Sequence, residues 1–303
     1  MSIRFDGRVA IVTGAGSGLG RSHALALAER GAKVVVNDLG SAMDGTGMSE
    51  APALAVVDEI RAQGGAAIVN EADVTNADQV TEMVEETIGE WGRVDILVNN
   101  AGILRDRTFA NMGLDDFRKV VDVHLLGSVI CTKAVWPLMR EQGYGRVVMT
   151  SSSSGLYGNF GQANYAAAKS AMLGLCNALH LEGEKYDIRV NVLSPAAATR
   201  MVEGLVEDDV LDQLDPSAVS PGLLYLVSED APSRIVLCAG AGSFARYVAF
   251  ETRGIYLPPD ERTPEAIAAR FGEISDPTDG QVLNSAFEQT LKFVHHAAGE
   301  AQI

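Results

Sequence analysis

Seven short apolar runs, separated by amphipathic stretches, punctuate the chain between Arg8 and Gly240. The runs are RVAIVTG, KVVVND, AAIVNEADV, RVDILVNN, GRVVMTSS, DIRVNVLS and RIVLCAG; helical patterns lie between them at about 19–30, 51–63, 77–91, 114–141, 164–186 and 216–228. Strands apolar on both faces imply a parallel sheet, because each crossover lays a helix over it. The sequence therefore predicts an α/β fold with a doubly wound, seven-stranded parallel sheet. LGSAMDGTGMSE at 39–50 is a polar, glycine-bearing loop behind the second strand. After Gly242 the alternation stops, and FARYVAFETRGIYLPPDERTPEAIAAR brings a Pro-Pro turn and a Thr263-Pro264 helix start. Residues 1–242 read as one domain. Residues 243–303 read as an extension packed on it, too short to hold a core of its own comfortably.

Hydrophobic residues make up 47% of the chain, enough for a substantial core. A formal charge of −16 leaves no global attraction to nucleic acid or anionic lipid, so an anionic ligand must be held locally. Cys131, Cys176 and Cys238 are odd in number and far apart, which suits buried thiols in a reducing compartment better than disulfides or a zinc site. The opening MSIRFDGRVAIVTG has no apolar leader core, and the final AQI is not a peroxisomal address. With no run of about 18 apolar residues, no membrane partner is expected and the expected location is cytoplasmic. His295 and His296 point apart on a helix with no companion ligands, so no metal is expected.

The first run ends in Thr13-Gly14-Ala15-Gly16-Ser17-Gly18-Leu19-Gly20, and a helix opens at once. Glycines there let the backbone approach a pyrophosphate, whose charge the helix N-terminus accepts. Any tight strand-to-helix turn uses glycine, so the context decides. Asp38 ends the second strand about 20 residues later, where a carboxylate accepts hydrogen bonds from an adenosine ribose and repels a 2′-phosphate. Neither Ser17 nor Leu39-Gly40-Ser41 supplies the cation a phosphorylated cofactor needs, so NAD is expected over NADP. The plain alternative for Asp38 is a solvated strand-end carboxylate.

Tyr165 and Lys169 in YAAAK are one helical turn apart and share a face. A cation held close favours phenolate; lowering a tyrosine pKa from about 10 toward 7 takes about 4 kcal/mol. Taken alone, such a pair is an ordinary aromatic beside a surface lysine. Thirteen residues upstream, Ser152 in a run of four serines ends a strand, where its hydroxyl could donate to a carbonyl while Tyr165 exchanges the proton. Four serines also suit an ordinary loop.

TGAGSGLG, Asp73 in EADV, NNAG at 99–102, and Ser152 with YAAAK resemble the short-chain dehydrogenase/reductase superfamily, in its order and spacing, from residue 7 to about 240. The resemblance implies a Rossmann-type fold. It implies Gly14, Gly16, Ser17, Gly18, Leu19, Gly20 and Asp38 as cofactor residues, with Asp73 and Val74 flanking the adenine and Asn99, Asn100, Ala101 and Gly102 under the cofactor. It makes Tyr165 the acid/base, gives Lys169 the nicotinamide ribose, sets Ser152 to orient the carbonyl, and puts Pro195 before the residues over the carboxamide.

Two positions depart from the family. Its catalytic asparagine falls on His124, which either joins the proton relay or is structural. Pro195-Ala196 stands where the family has Pro-Gly. NDLG, AGILRDRTFA, His124, SGLYGNFGQANYAAAK and the extension are similar to the (3R)-hydroxyacyl-CoA dehydrogenase unit of peroxisomal multifunctional enzymes and its stand-alone bacterial relatives, here without the hydratase that follows in the fused enzymes. The implied function is NAD-dependent interconversion of a (3R)-3-hydroxyacyl-CoA and its 3-oxoacyl-CoA, with a fatty-acyl or steroid side chain, by a homodimer or homotetramer. A free-hydroxysteroid dehydrogenase and a non-catalytic NAD-binding sensor or scaffold are the alternatives. Arg105, Arg107, Arg200, Arg246 and Arg253 are candidate CoA cations.

Overall fold

The computed structural model describes residues 2–47, 49–197 and 213–299. They divide into two compact units, Met1–Arg246 and Tyr247–Ile303. The first is built on strands β1 (Val9–Thr13), β2 (Lys33–Asn37), β3 (Ala66–Asn70), β4 (Ile96–Asn99), β5 (Gly145–Thr150), β6 (Ile188–Ala196), β7 (Val236–Gly240) and β8 (Ser243–Tyr247), in the order β3-β2-β1-β4-β5-β6-β7-β8. The first seven pair in parallel. The chain winds outward from β1 to β3, then returns to β4 on the other side of β1. That reversal opens a crevice at the carboxyl ends of β1 and β4.

Alternate side chains of the strands face opposite layers. Ala10, Val12, Val34, Val36, Ile96, Val98 and Val148 pack with α1 (Gly18–Glu29) and α2 (Ala51–Ala62). Ile11, Val35, Leu97, Val147, Met149 and Val192 pack with α3 (Ala77–Trp91), the long helix 114–142 and the helix Ala163–Gly183. Every one of these strand residues is fully buried, which is why the strands read as unbroken apolar runs.

The sheet has an eighth strand where the sequence predicts seven. Ala241 (φ 48°) and Gly242 (φ 72°) form a two-residue turn with both central residues left-handed, the geometry that suits a hairpin. It joins β7 to β8, so residues assigned from sequence to the extension belong to the sheet. Ser243–Arg246 are exposed along the strand, and hydrophobic alternation gives no sign of them.

Helix 114–142 is interrupted. α4 (Leu114–Val121) passes through one π-helical turn, Asp122–Leu126, into α5 (Gly127–Gln142). By length and composition it contains a window apolar enough to cross a membrane, yet Val120, Cys131, Val135 and Met139 are buried in the sheet's core. The described residues of the second unit include the α-helices Pro264–Ala269, Phe271–Ile274 and Ala286–Ala298; Thr263 caps the first by accepting from the Ala266 N–H. Within it the buried Lys292 donates to the Glu251 carboxylate and the Thr252 carbonyl.

Candidate active site

The turn between β1 and α1 is shaped by contacts only glycine permits. Gly14 and Gly18 take φ values of 64° and 52°. A Cβ on Gly14 would lie 2.8 Å from the Ala101 Cα, and one on Gly20 2.1 Å from the Gly14 carbonyl oxygen. A Cβ on Gly16 would meet the Asp38 carboxylate carbon at 2.9 Å. Beneath the turn, the Asn100 amide donates to the Thr13 and Gly14 carbonyls, and Thr13 Oγ1 accepts from the Asn100 and Ala101 N–H groups. Asp38 accepts from the Gly16 N–H at 2.7 Å and the Gly40 N–H at 2.6 Å. A fixed negative charge thus closes one side of a backbone cradle at a helix N-terminus. This suits a dinucleotide: pyrophosphate on the turn, ribose against Asp38.

A cavity of about 480 Å³ runs from this turn to the Tyr165 helix. The expected catalytic and cofactor residues line it, except Gly16, which sits behind the turn against Asp38, and Asn99, whose amide is turned to Thr132 and Met149. Asp73 Oδ1 accepts from the Thr75 N–H and hydroxyl, which holds Val74 at the cavity wall. Pro195 lies near the end of β6 on the same cavity; the segment that follows, with Arg200, lies outside the described residues. Neither Arg105, Arg107 nor Arg246 lines it, and Arg105 is paired with Asp116 at 2.8 Å; Arg253 belongs to the second unit. Cys131 and Cys176 are buried elsewhere, with burial pushing both thiols up to about 12.

β5 delivers Thr150 to the cavity, and Ser152 begins the short α6 (Ser153–Tyr157), accepting from the Ser154 N–H. Tyr165 and Lys169 stand on α7 (Ala163–Gly183). The Ser152 hydroxyl stands beside the Tyr165 phenol, near enough to lower it. Lys169 Nζ donates to the Thr150 carbonyl at 2.7 Å and lies 5.6 Å from the Tyr165 ring centroid. Burial pushes Lys169 down to about 7.

Burial dominates the electrostatics of the pair in the chain without cofactor. Burial raises the Tyr165 phenol above its ordinary value; the Ser152 hydroxyl opposes this in part, and the Asp106 charge adds to it. The lysine is turned to a carbonyl and is itself desolvated.

His124 projects from the π-turn into the same wall. It is buried, with Nε2 at 3.1 Å from the Ile103 N and 2.8 Å from the Ile103 O. Burial, followed by the Lys169 charge, holds it well below the ordinary histidine range, so the ring is neutral. His124 and Thr150 both line the cavity, and their Nδ1 and Oγ1 atoms are buried without a hydrogen-bond partner among the described residues. Both are polar atoms suited to a ligand or a water.

Sequence reasoning missed Gln162. It is buried on the cavity wall beside Ser154, and its Nε2 donates to Asp106, fifty-six positions away. The GQANY segment carries no periodic signal for it.

The short chain dehydrogenase family pattern matches residues 8–209, and the chain belongs to that family. It is 49% identical over 292 residues to the peroxisomal multifunctional enzyme type 2 of Drosophila melanogaster, covering 94% of this chain and 48% of that protein. It is 46% identical over 281 residues to the peroxisomal hydratase-dehydrogenase-epimerase of Saccharomyces cerevisiae, covering 92% of this chain and 31% of that one. The chain thus spans half or less of these relatives' length. A crystal structure of a short chain dehydrogenase from Mycobacterium avium superimposes with a TM-score of 0.77 at 37% identity, covering 89% of this chain and 95% of that one.

Proposed function

We propose that the chain is an NAD-dependent dehydrogenase interconverting (3R)-3-hydroxyacyl-CoA and 3-oxoacyl-CoA. The observation that carries this reading is the single cavity joining Asp38 and the glycine turn at one end to Ser152, Tyr165 and Lys169 at the other. Asp38 supports NAD, because a 2′-phosphate would have to approach its carboxylate. The names of the relatives support an acyl thioester, since a hydratase and a dehydrogenase acting in sequence share a 3-hydroxyacyl intermediate.

In oxidation the substrate O–H proton passes to the Tyr165 oxygen and the C3–H leaves as hydride, which NAD accepts when bound. In reduction the Tyr165 phenol returns the proton to the carbonyl oxygen, with the Ser152 hydroxyl donating to the same oxygen. Lys169 would hold the nicotinamide ribose. An assembly of two or four copies, paired through α5 and α7, belongs to the same reading.

The test is NAD reduction with (3R)- and (3S)-hydroxyacyl-CoA, the matching free acids and a hydroxysteroid panel, with NADP in parallel. Turnover of the 3R thioester with NAD is expected to lead. Preference for the 3S isomer, or a free steroid turned over as efficiently as any thioester, overturns the substrate. Absence of all turnover with tight NADH binding favours the sensor or scaffold.

A further inference from the structure

Gln162 occupies the position before the first residue of α7, yet its side chain does not cap the helix. Ser, Thr, Asp or Asn is the usual choice there, so helix stability does not explain a glutamine. The side chain is more than nine-tenths buried and lines the cavity with Ser152 and Tyr165.

Its neighbours fix which way the amide points. Oε1 accepts from Ser154 Oγ at 2.8 Å and from Asn159 Nδ2 at 3.0 Å, which uses both of its acceptor sites. Nε2 donates to Asp106 Oδ2 at 2.7 Å, and a carboxylate accepts only. A flipped amide would set its oxygen against Asp106 and its N–H groups against the Asn159 donor. The amide therefore has one orientation and one uncommitted N–H. The committed N–H goes to Asp106, which does not line the cavity, whereas Gln162 itself does, and the other N–H is the donor Gln162 can offer a ligand.

We propose that this N–H receives the thioester carbonyl of a 3-oxoacyl substrate, making Gln162 a specificity-determining residue for a carbonyl β to the reacting one. The inference rests on the thioester reading above. Ser152 and Tyr165 hold the C3 oxygen, and Gln162 stands three residues before Tyr165 and is bonded to Ser154, two residues after Ser152. A second carbonyl one methylene from C3 needs a neutral donor beside that pair, and a preset amide supplies one. A simple ketone leaves the N–H unpaired in a buried wall, which is a penalty as well as a lost contact.

Two probes isolate the contact: acetoacetyl-CoA and S-(3-oxobutyl)-CoA, the thioether in which CH₂ replaces the thioester carbonyl while the ketone and CoA remain. NADH oxidation by wild type and Gln162→Met is measured with both, and NADH fluorescence titration reports that the cradle is intact. The substitution is expected to raise KM for acetoacetyl-CoA about tenfold or more relative to its effect on the thioether, with kcat changed less. Should Gln162→Met not fold, Asp106→Ala releases the amide from its fixed orientation and is expected to shift the same ratio in the same direction. Equal losses on both probes mean a purely structural glutamine and overturn the inference while leaving thioester turnover standing. A wild-type enzyme that turns over neither probe overturns this inference and the thioester reading together.

Discussion

The imidazole of His124 meets the phenol ring of Tyr165 edge-on, with centroids 5.1 Å apart and planes at 88°. On its other side the imidazole leaves no room at Gly102, where a Cβ would lie 2.2 Å from Cε1. The neutral ring therefore spaces the Gly102–Ile103 backbone from the tyrosine. Gly102→Ala is expected to lower kcat/KM about tenfold to a hundredfold by displacing His124 against Tyr165. His124→Asn, which is smaller, is expected to recover part of that loss in the double variant. Steady-state kinetics of the two single variants and the double decide it; strictly additive losses would refute the coupling.

Lys169 couples stability to pH. Its pKa falls from the ordinary 10.5 to about 7 on burial, so between these values the unfolded chain binds a proton that the folded chain does not. Stability then rises with pH across about 7 to 10.5, and the cost of burying the lysine is fully present below 7. Lys169→Met is expected to melt several degrees above wild type at pH 6.5 while losing turnover, and the gap is expected to shrink toward pH 10. Scanning calorimetry across that range measures it; a gap that widens with pH contradicts the burial.

Much of this arrangement is legible in the chain. Strands buried on both faces write themselves as unbroken apolar runs, and YAAAK places Tyr165 and Lys169 on one helix face. What is hidden depends on contacts distant in sequence. The π-turn at Asp122–Leu126 carries His124 to the Ile103 backbone, and helical periodicity over 114–141 does not register one extra residue in a turn. Gln162 and Asp106 meet only because the loop after β4 folds against the start of α7, as the Arg107 N–H to Gly161 carbonyl bond also records. The rise of the Tyr165 phenol above its ordinary value comes from burial, which residue spacing does not report. β8 escapes because both its faces are wet.

Tyr165 is expected to govern the pH profile. Oxidation needs the phenolate, and burial with the Asp106 charge raises the phenol, so kcat/KM for oxidation should climb through the alkaline range. Reduction uses the protonated form and should hold level until the phenol ionises. Asp106→Asn removes the charge and is expected to move the oxidative limb to lower pH. Tyr165→Phe should cut turnover by about 10² to 10⁴ with NADH binding kept. More than a few per cent residual turnover in that variant, or an unmoved limb in Asp106→Asn, argues against the assignment.

Asp38 gives the sharpest test of cofactor choice, because its carboxylate has two tasks. It anchors the Gly16 and Gly40 N–H groups, and it places a charge where a 2′-phosphate would come. Asp38→Asn retains an acceptor but no charge, whereas Asp38→Ala loses both. Discrimination against NADP is expected to narrow in both variants, since the repulsion goes in each. KM for NAD is expected to rise about tenfold to a hundredfold in the alanine variant and less in the asparagine variant, following the loss of charge-assisted bonds and of the turn's anchor. Initial rates with NAD and NADP over a range of salt separate the two tasks, because the charge effect is screened and the anchoring is not. If discrimination is the same in all three proteins, Asp38 is an anchor alone and the cofactor preference lies elsewhere in the cavity.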